Sequence, residues 1–424
     1  MIYKDSQIPW IGNIPAHWEV ARGKQVLTLL NRPIREDDEI VTCFHDGTVT
    51  LRARKTARRV NLAVKEDGYQ GIEPGDLVVH GMDGFAGAIG ISDARGKSTP
   101  ALLVLDSPHN KRYLMYYLRM AADRNVFQSL TNGIRNHSCD LCWNKLAVFP
   151  VLLPTRAEQD RIAEYLDRAM EKIDAIIAEA NSLIEDYMVW KASRIYEVLT
   201  KGLDPGAALK DSGIGWLGQI PTGWTVRRLK FLVTEPLRQG TPEGSIDYQP
   251  DLPRYIRITD IAADGTLKEE NKRSLPETVP QEYLLEDGDV LFARSGETAG
   301  KAFLYRAEYG KAAFASYLIR ARIDRQIIHP KLVCYATLAA GYNNWKTDAM
   351  SSSAIKNIST GKYSDLSIAI PPITEQEQLI GYIERKILPI EDSITQRAAL
   401  ITDLQSYKNA LIYEAVTGKQ QPIL

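Results

Sequence analysis

The stretch from Ala157 to Thr200 constrains the fold of this chain more than any other. Its apolar residues fall at Ile162, Leu166, Ala169, Ile173, Ile176, Ala180, Leu183, Tyr187 and Trp190. Steps of four and three alternate without a break, which is the seam of a coiled coil. The residues between are mostly charged, so the other faces seek water. Thr155 and Glu158 form a capping box ahead of the run, and Gly202 supplies a stop after it. A helix of about 45 residues is roughly 65 Å long. A single globular domain does not hide that length, so the seam needs a partner.

The chain supplies one by duplication. DSQIPWIGNIPAHWEVARGK at 5–24 aligns with DSGIGWLGQIPTGWTVRRLK at 211–230, with 11 of 20 positions identical. Downstream, IEPGDLVVHGMDG (72–84) resembles LEDGDVLFARSG (285–296), each an apolar strand after a Gly-Asp turn. NGIRN (132–136) resembles SAIKN (353–357), and residues 157–200 match 374–417 at 14 of 44 positions. Thr374 with Glu377 and then Gly418 predict a second capped and stopped helix. Its seam is less regular, because Lys386, Ser393 and Arg397 take seam positions beside Ile387, Ile394 and Ile401. Pro389 lacks an N–H and predicts local bending rather than a break.

The expected fold is α+β. Two mixed α/β domains (1–153 and 204–370) are separated by two long helices (154–203 and 371–424) that form an antiparallel two-helix coiled coil with pseudo-two-fold symmetry. Asp204-Pro205-Gly206 is the boundary between the halves. The tryptophans shared by the two copies, Trp10, Trp18, Trp216 and Trp224, read as packing anchors.

Composition narrows the function. No apolar run approaches the roughly 18 residues of a membrane span, and the four cysteines lack a disulfide spacing pattern, which predicts reduced thiols and a cytoplasmic protein. The formal charge of −1 is uneven: residues 1–150 carry +3 and 207–370 carry +2, whereas 151–206 and 371–424 carry −4 and −2. The globular parts can therefore meet a polyanion.

Catalytic signatures are sparse. GISDARGKST (90–99) has five residues where a phosphate loop has four, and no Asn-Pro-Pro-aromatic tetrapeptide is present. His137, Cys139 and Cys142, with Cys43 and His45, offer a weak zinc pattern; two thiols in a packed segment is the better reading, and no metal is expected. The candidate DNA contacts are cationic or polar. Arg52, Arg54, Lys55, Arg58 and Arg59 cluster after a turn, and Arg135 lies in NGIRN. In the second half the candidates are Arg254, Arg257, Arg294, Ser295, Lys301, Lys356 and Asn357. Arg294 follows an apolar run and so belongs at a strand end, where loop residues reach a ligand.

These paired segments, with PTRAEQ (154–159) and PPITEQEQ (371–378) ahead of the helices and LTKG/VTGK after them, resemble the specificity subunits of type I restriction–modification enzymes. The resemblance covers essentially the whole chain, with HSCDLCW a departure in one loop. It implies a non-catalytic DNA-recognition subunit, bacterial or archaeal, in which each globular domain reads half of a bipartite, asymmetric sequence. The helices would set the spacer and dock two methyltransferase subunits. The docking and coil residues would be Glu158, Gln159, Ile162, Leu166, Ile173 and Leu183, with Glu375, Gln376, Leu379, Ile383, Leu400 and Leu404. It further implies no cofactor on this chain, S-adenosylmethionine on the methyltransferase partners, double-stranded DNA as ligand, motor nuclease subunits in the restriction complex, and no membrane. The alternatives are a coiled-coil adaptor without DNA readout, a standalone methyltransferase or nuclease fused to recognition domains, and the recognition module of a methylation-only system.

Overall fold

The computed structural model describes residues 2–55, 67–129, 141–262, 266–276, 279–296, 298–351 and 357–420. The chain forms two compact units that are not consecutive in sequence: residues 1–179 with 399–424, and residues 180–398. Among the described residues no helix is long and apolar enough to cross a membrane.

Each unit repeats one plan. In the first, the lead-in hairpin pairs Tyr3–Asp5 with Asn13–Pro15, and Glu19–Arg22 pairs with Pro150–Leu153. In the second, Leu209–Asp211 pairs with Gln219–Pro221, and Thr225–Arg228 with Ser367–Ile370. A four-stranded antiparallel sheet forms the core of each. Its order is Thr28–Leu29, Leu102–Asp106, Leu77–His80, Ile89–Ile91 in the first unit. In the second it is Arg238–Gln239, Leu318–Arg322, Asp289–Ala293, Ala302–Leu304. The second unit adds a mixed sheet in which Arg254–Ile256 runs parallel to Ala312–Phe314.

The Gly-Asp turns start the central strands for a specific reason. Gly75 (φ +86°) and Gly288 (φ +90°) take the left-handed conformation, which a side chain would resist. The following Asp76 and Asp289 are buried, and each accepts the backbone N–H three residues back, from Glu73 and Glu286, at 2.8 Å. Their charges are met by Arg32 and Arg322. These arginines come from non-equivalent positions, so the repeat preserves the chemistry without preserving the residue.

The first long helix runs unbroken from Arg156 to Lys201. Its capping box forms as expected: Glu158 Oε2 accepts from Thr155 N at 3.0 Å, and Glu158 N donates to Thr155 Oγ1. The buried or half-buried stripe is Ile162, Leu166, Met170, Ile173, Ile177 and Ala180, then Tyr187, Lys191, Ile195 and Val198. It follows the straight-helix period of about 3.6 residues, so it drifts off the heptad. Ile176 (45%) and Trp190 (42%), expected in the seam, are therefore exposed.

The second helix departs further. It splits into Ile373–Tyr382 and Ile390–Val416, joined by a wider π turn at Ile383–Ile387. Pro389 has no N–H to give the carbonyl four residues back. The ladder slips by one, with Leu388 N donating to Ile383 O at 2.9 Å, so the helix is interrupted rather than merely bent. Ile387 takes the buried place that Lys386 vacates, and Leu400 is turned outward. The second capping box is absent. Pro372 stands where Thr155 stands in the first copy and has no side-chain acceptor, so the helix begins at Ile373 with Thr374 already inside it.

The helix segments also contact each other inside the units. In the first, Lys408 pairs with Asp174. In the second, Lys191 pairs with Glu391, and the Arg397 guanidinium lies 4.8 Å from the Tyr187 ring centroid. Residue numbers rise on one segment as they fall on the other, so the pair in this unit is antiparallel.

Three half-buried histidines make stability depend on acid. Burial lowers His80, His109 and His329 below their ordinary value of 6.5. His329 Nδ1 also caps a helix by accepting from Lys331 N at 3.1 Å, which requires the unprotonated nitrogen. The unfolded chain thus takes up these protons first. The stability they lend is full above about pH 6.5 and is lost as pH falls through the folded values. The melting temperature should drop between pH 7.5 and 5.5, and His329→Asn, which keeps a capping acceptor that does not titrate, should lessen the drop.

Candidate nucleic-acid interface

The four-stranded sheet of the second unit collects the candidate polar residues at one end. Asp289–Ala293 finishes there, and Leu318–Arg322 and Ala302–Leu304 begin there. The residues just beyond are Arg294 and Ser295, Tyr317, and Lys301. Backbone bonds fix this edge: Arg294 N donates to Tyr317 O at 3.0 Å, and Ile358 N to Arg294 O at 2.8 Å. Ser295 forms an isolated antiparallel bridge with Asn357, and Arg294 Nε donates to Asn357 Oδ1 at 3.3 Å. Lys301 is exposed, and Tyr317 is 63% exposed.

The first unit builds the same edge with other chemistry. Gly81 N donates to Ala101 O at 2.7 Å and Leu141 N to Gly81 O at 2.8 Å, the pattern made by Arg294 in the second copy. Gly81 thus occupies the place of Arg294, and Met82, 56% exposed, that of Ser295. His80 Nδ1 accepts the Met82 and Asp83 N–H groups at 3.3 and 3.1 Å, leaving Nε2 facing Asp83 at 3.6 Å. His45 stands 3.7 Å from the same carboxylate.

The remaining sequence candidates are placed unevenly. Arg52–Lys55 forms one helical turn whose cations already have neighbours. Arg52 Nε donates to Thr42 Oγ1 at 2.9 Å, Arg54 lies 3.5 Å from Asp93, and Lys55 pairs with Asp46 over the Phe44 ring. Only Arg54 and Lys55 are exposed. Arg58, Arg59, Arg135 and Lys356 lie outside the described residues. Arg254 is 6% exposed and bound to Glu269 at 3.1 Å, so it does not face solvent. Arg257 is held in a fork by Asp260 at 2.7 and 3.0 Å, an interaction that raises the guanidinium pKa. Sequence reasoning missed Tyr317, Met82 and the grouping of His45 with His80 and Asp83; His45 enters it only as a weak zinc candidate. Strand pairing brings Tyr317 beside Arg294, and no linear motif carries that signal.

The helix candidates also divide. Ile162, Leu166 and Ile173 are buried in the core of the first unit, and Leu379 and Ile383 in that of the second. Leu183 and Leu404 are half-buried, and Leu400 is 44% exposed. Gln159 and Gln376, each 1% exposed, point inward and bind backbone. Glu158 accepts from His17 Nε2 at 2.8 Å and Glu375 from Trp224 Nε1 at 2.9 Å. Among the described residues, the large apolar side chains left exposed on the long helices are others: Ile176, Met188, Val189, Trp190, Ile373 and Tyr407, beside Leu400.

For the zinc pattern, His137 and Cys139 lie outside the described residues, and burial pushes the Cys43 thiol up to about 12, which disfavours the thiolate a metal needs. Among the described residues no group of three His, Cys, Asp or Glu is placed to hold a metal ion.

No family model matches the chain. It is 21% identical to the type I restriction enzyme StySPI specificity subunit of Salmonella potsdam, over 96% of this chain and 90% of that protein. It is also 21% identical to the EcoKI specificity subunit of Escherichia coli K12, over 93% and 88%. A solved chain from a study of assembly of the type I R-M system superposes with a TM-score of 0.68 at 14% identity, covering 96% of this chain and 99% of that one. This last likeness establishes the shared fold.

Proposed function

We propose that this chain is a specificity subunit of a type I restriction–modification system: a DNA reader that performs no chemistry itself. The observation that carries this reading is similarity to two curated specificity subunits over nearly the whole of both chains. The repeated sheet edge supports it, because strand-end loops fixed by backbone bonds are suited to reach base edges in a major groove. The two edges carry different residues, so the two half-sites differ. Domains 1–153 and 204–370 are the target-recognition domains, and the long helices set the unread spacer.

Methyltransferase subunits dock on the helices through the exposed apolar residues Met188, Val189 and Trp190, and through Ile176, Leu400 and Tyr407. Those subunits carry S-adenosylmethionine and methylate adenine, and motor nuclease subunits complete the restriction complex. The protein works in the bacterial or archaeal cytoplasm.

The test is sequence-specific DNA binding by the full chain with its methyltransferase subunit, against the chain with methyltransferase on non-cognate DNA. Lys301→Ala and Arg54→Ala should each weaken binding uniformly across sequences and reduce the salt slope by about one unit if each neutralises a phosphate. A complex that binds no DNA would favour the adaptor alternative.

A further inference from the structure

We infer that Arg294 is a guanine-reading fork and that Asn357 is the residue that positions it. This rests on the second unit being a DNA-recognition domain, and it names the base read there. In this unit arginines are ordinarily neutralised in place: Arg254, Arg257, Arg273, Arg320, Arg322 and Arg325 each pair with a carboxylate. Arg294 is held instead by a neutral carboxamide, through Nε to Asn357 Oδ1 at 3.3 Å.

The difference matters chemically. A carboxylate would cancel the charge and fill the fork. A carboxamide on Nε fixes the plane of the guanidinium and leaves both terminal nitrogens without an acceptor among the described residues. Those two nitrogens carry parallel N–H donors, which match the O6 and N7 acceptors that guanine alone presents side by side in the major groove.

The support is rigid as well. Arg294 is pinned at its N–H by Tyr317 O and at its carbonyl by Ile358 N, and the neighbouring Ser295 bridges to Asn357. Donor and orienter therefore hang from one strand edge, and the exposed Lys301, just before the adjacent strand Ala302–Leu304, is placed to meet a phosphate beside the base. The first unit has Gly81 at the matching position, so this contact belongs to one half-site only.

The experiment maps methylated adenines and measures duplex binding for the full chain with its methyltransferase subunit. The wild-type motif should contain a G·C pair in the half-site that changes when Arg294 is replaced. Arg294→Ala should reduce discrimination at that pair by about 5- to 150-fold, leaving the other half-site and the melting temperature unchanged. Arg294→Lys, which keeps the charge but not the fork, should lose the same discrimination.

Asn357→Ala should give a smaller loss. Asn357→Asp, which places a carboxylate on the fork, should be as damaging as Arg294→Ala, whereas a merely structural asparagine would show no such order. Sequence-specific methylation that survives Arg294→Ala and Arg294→Lys with the same motif overturns the inference and leaves the DNA-reading function standing. A wild-type complex with no sequence preference overturns both.

Discussion

Replacing Gln376 with leucine should destabilise the isolated chain by about 3–5 kcal/mol, because three backbone groups lose their partner at once. Gln376 is 1% exposed. Its carboxamide oxygen accepts the His329 N–H at 2.7 Å, and its nitrogen donates to Ile327 O and Pro371 O, each at 3.0 Å. Leucine fills the volume but satisfies none of these, and burial denies them water. Gln159 makes the corresponding clamp, accepting from Asn110 N at 3.0 Å and donating to Pro154 O at 2.9 Å, so Gln159→Leu should behave alike.

Denaturant unfolding of the purified chain and hydrogen exchange at the His329 amide are the readouts. If these glutamines were docking residues, the variants would melt like wild type and lose only the methyltransferase; that result would sink the clamp.

The glutamines show where the sequence stops being informative. Their repetition at matching positions marks them as important, but their partners are backbone atoms, which leave no trace in side-chain patterns. The duplication, the unbroken first helix and the capping box at Thr155 were legible because each depends on residues close together in the chain. The drift of the buried stripe was not. A heptad and a 3.6-residue period agree for two or three turns and separate only over the length of this helix, and Lys191 enters the stripe by finding Glu391.

Pro389 announced a disturbance, but its form, a π turn, depends on Ile383 and Ile387 both being buried in the second unit's core. At the candidate interface, Arg294 could be placed at a strand end from the apolar run before it. Its separation from Arg254 and Arg257, which are committed to acidic partners, required knowing which carboxylates the fold brings near.

The two homologous tryptophans should part company when trimmed. Trp18 and Trp224 are 3% and 2% exposed, and each closes over a helix stop. A methyl on Gly418 would come within 3.1 Å of the Trp18 ring, and one on Gly202 within 3.4 Å of the Trp224 ring. Replacing either by alanine should cost about 3–5 kcal/mol through the cavity left behind.

Phenylalanine separates them. Trp224 Nε1 donates to Glu375 at 2.9 Å, whereas Trp18 Nε1 has no partner among the described residues. In the first copy Glu158 spends its carboxylate on Thr155 and His17. In the second, Pro372 replaces that threonine, which frees Glu375 to turn to the indole. Trp224→Phe thus removes a hydrogen bond to a charged group as well as ring volume, and should cost about 1.5–3 kcal/mol more than Trp18→Phe. Calorimetric melting of the two variants gives the difference directly. Equal losses would mean that the Glu375 bond contributes nothing and that both rings act through packing alone.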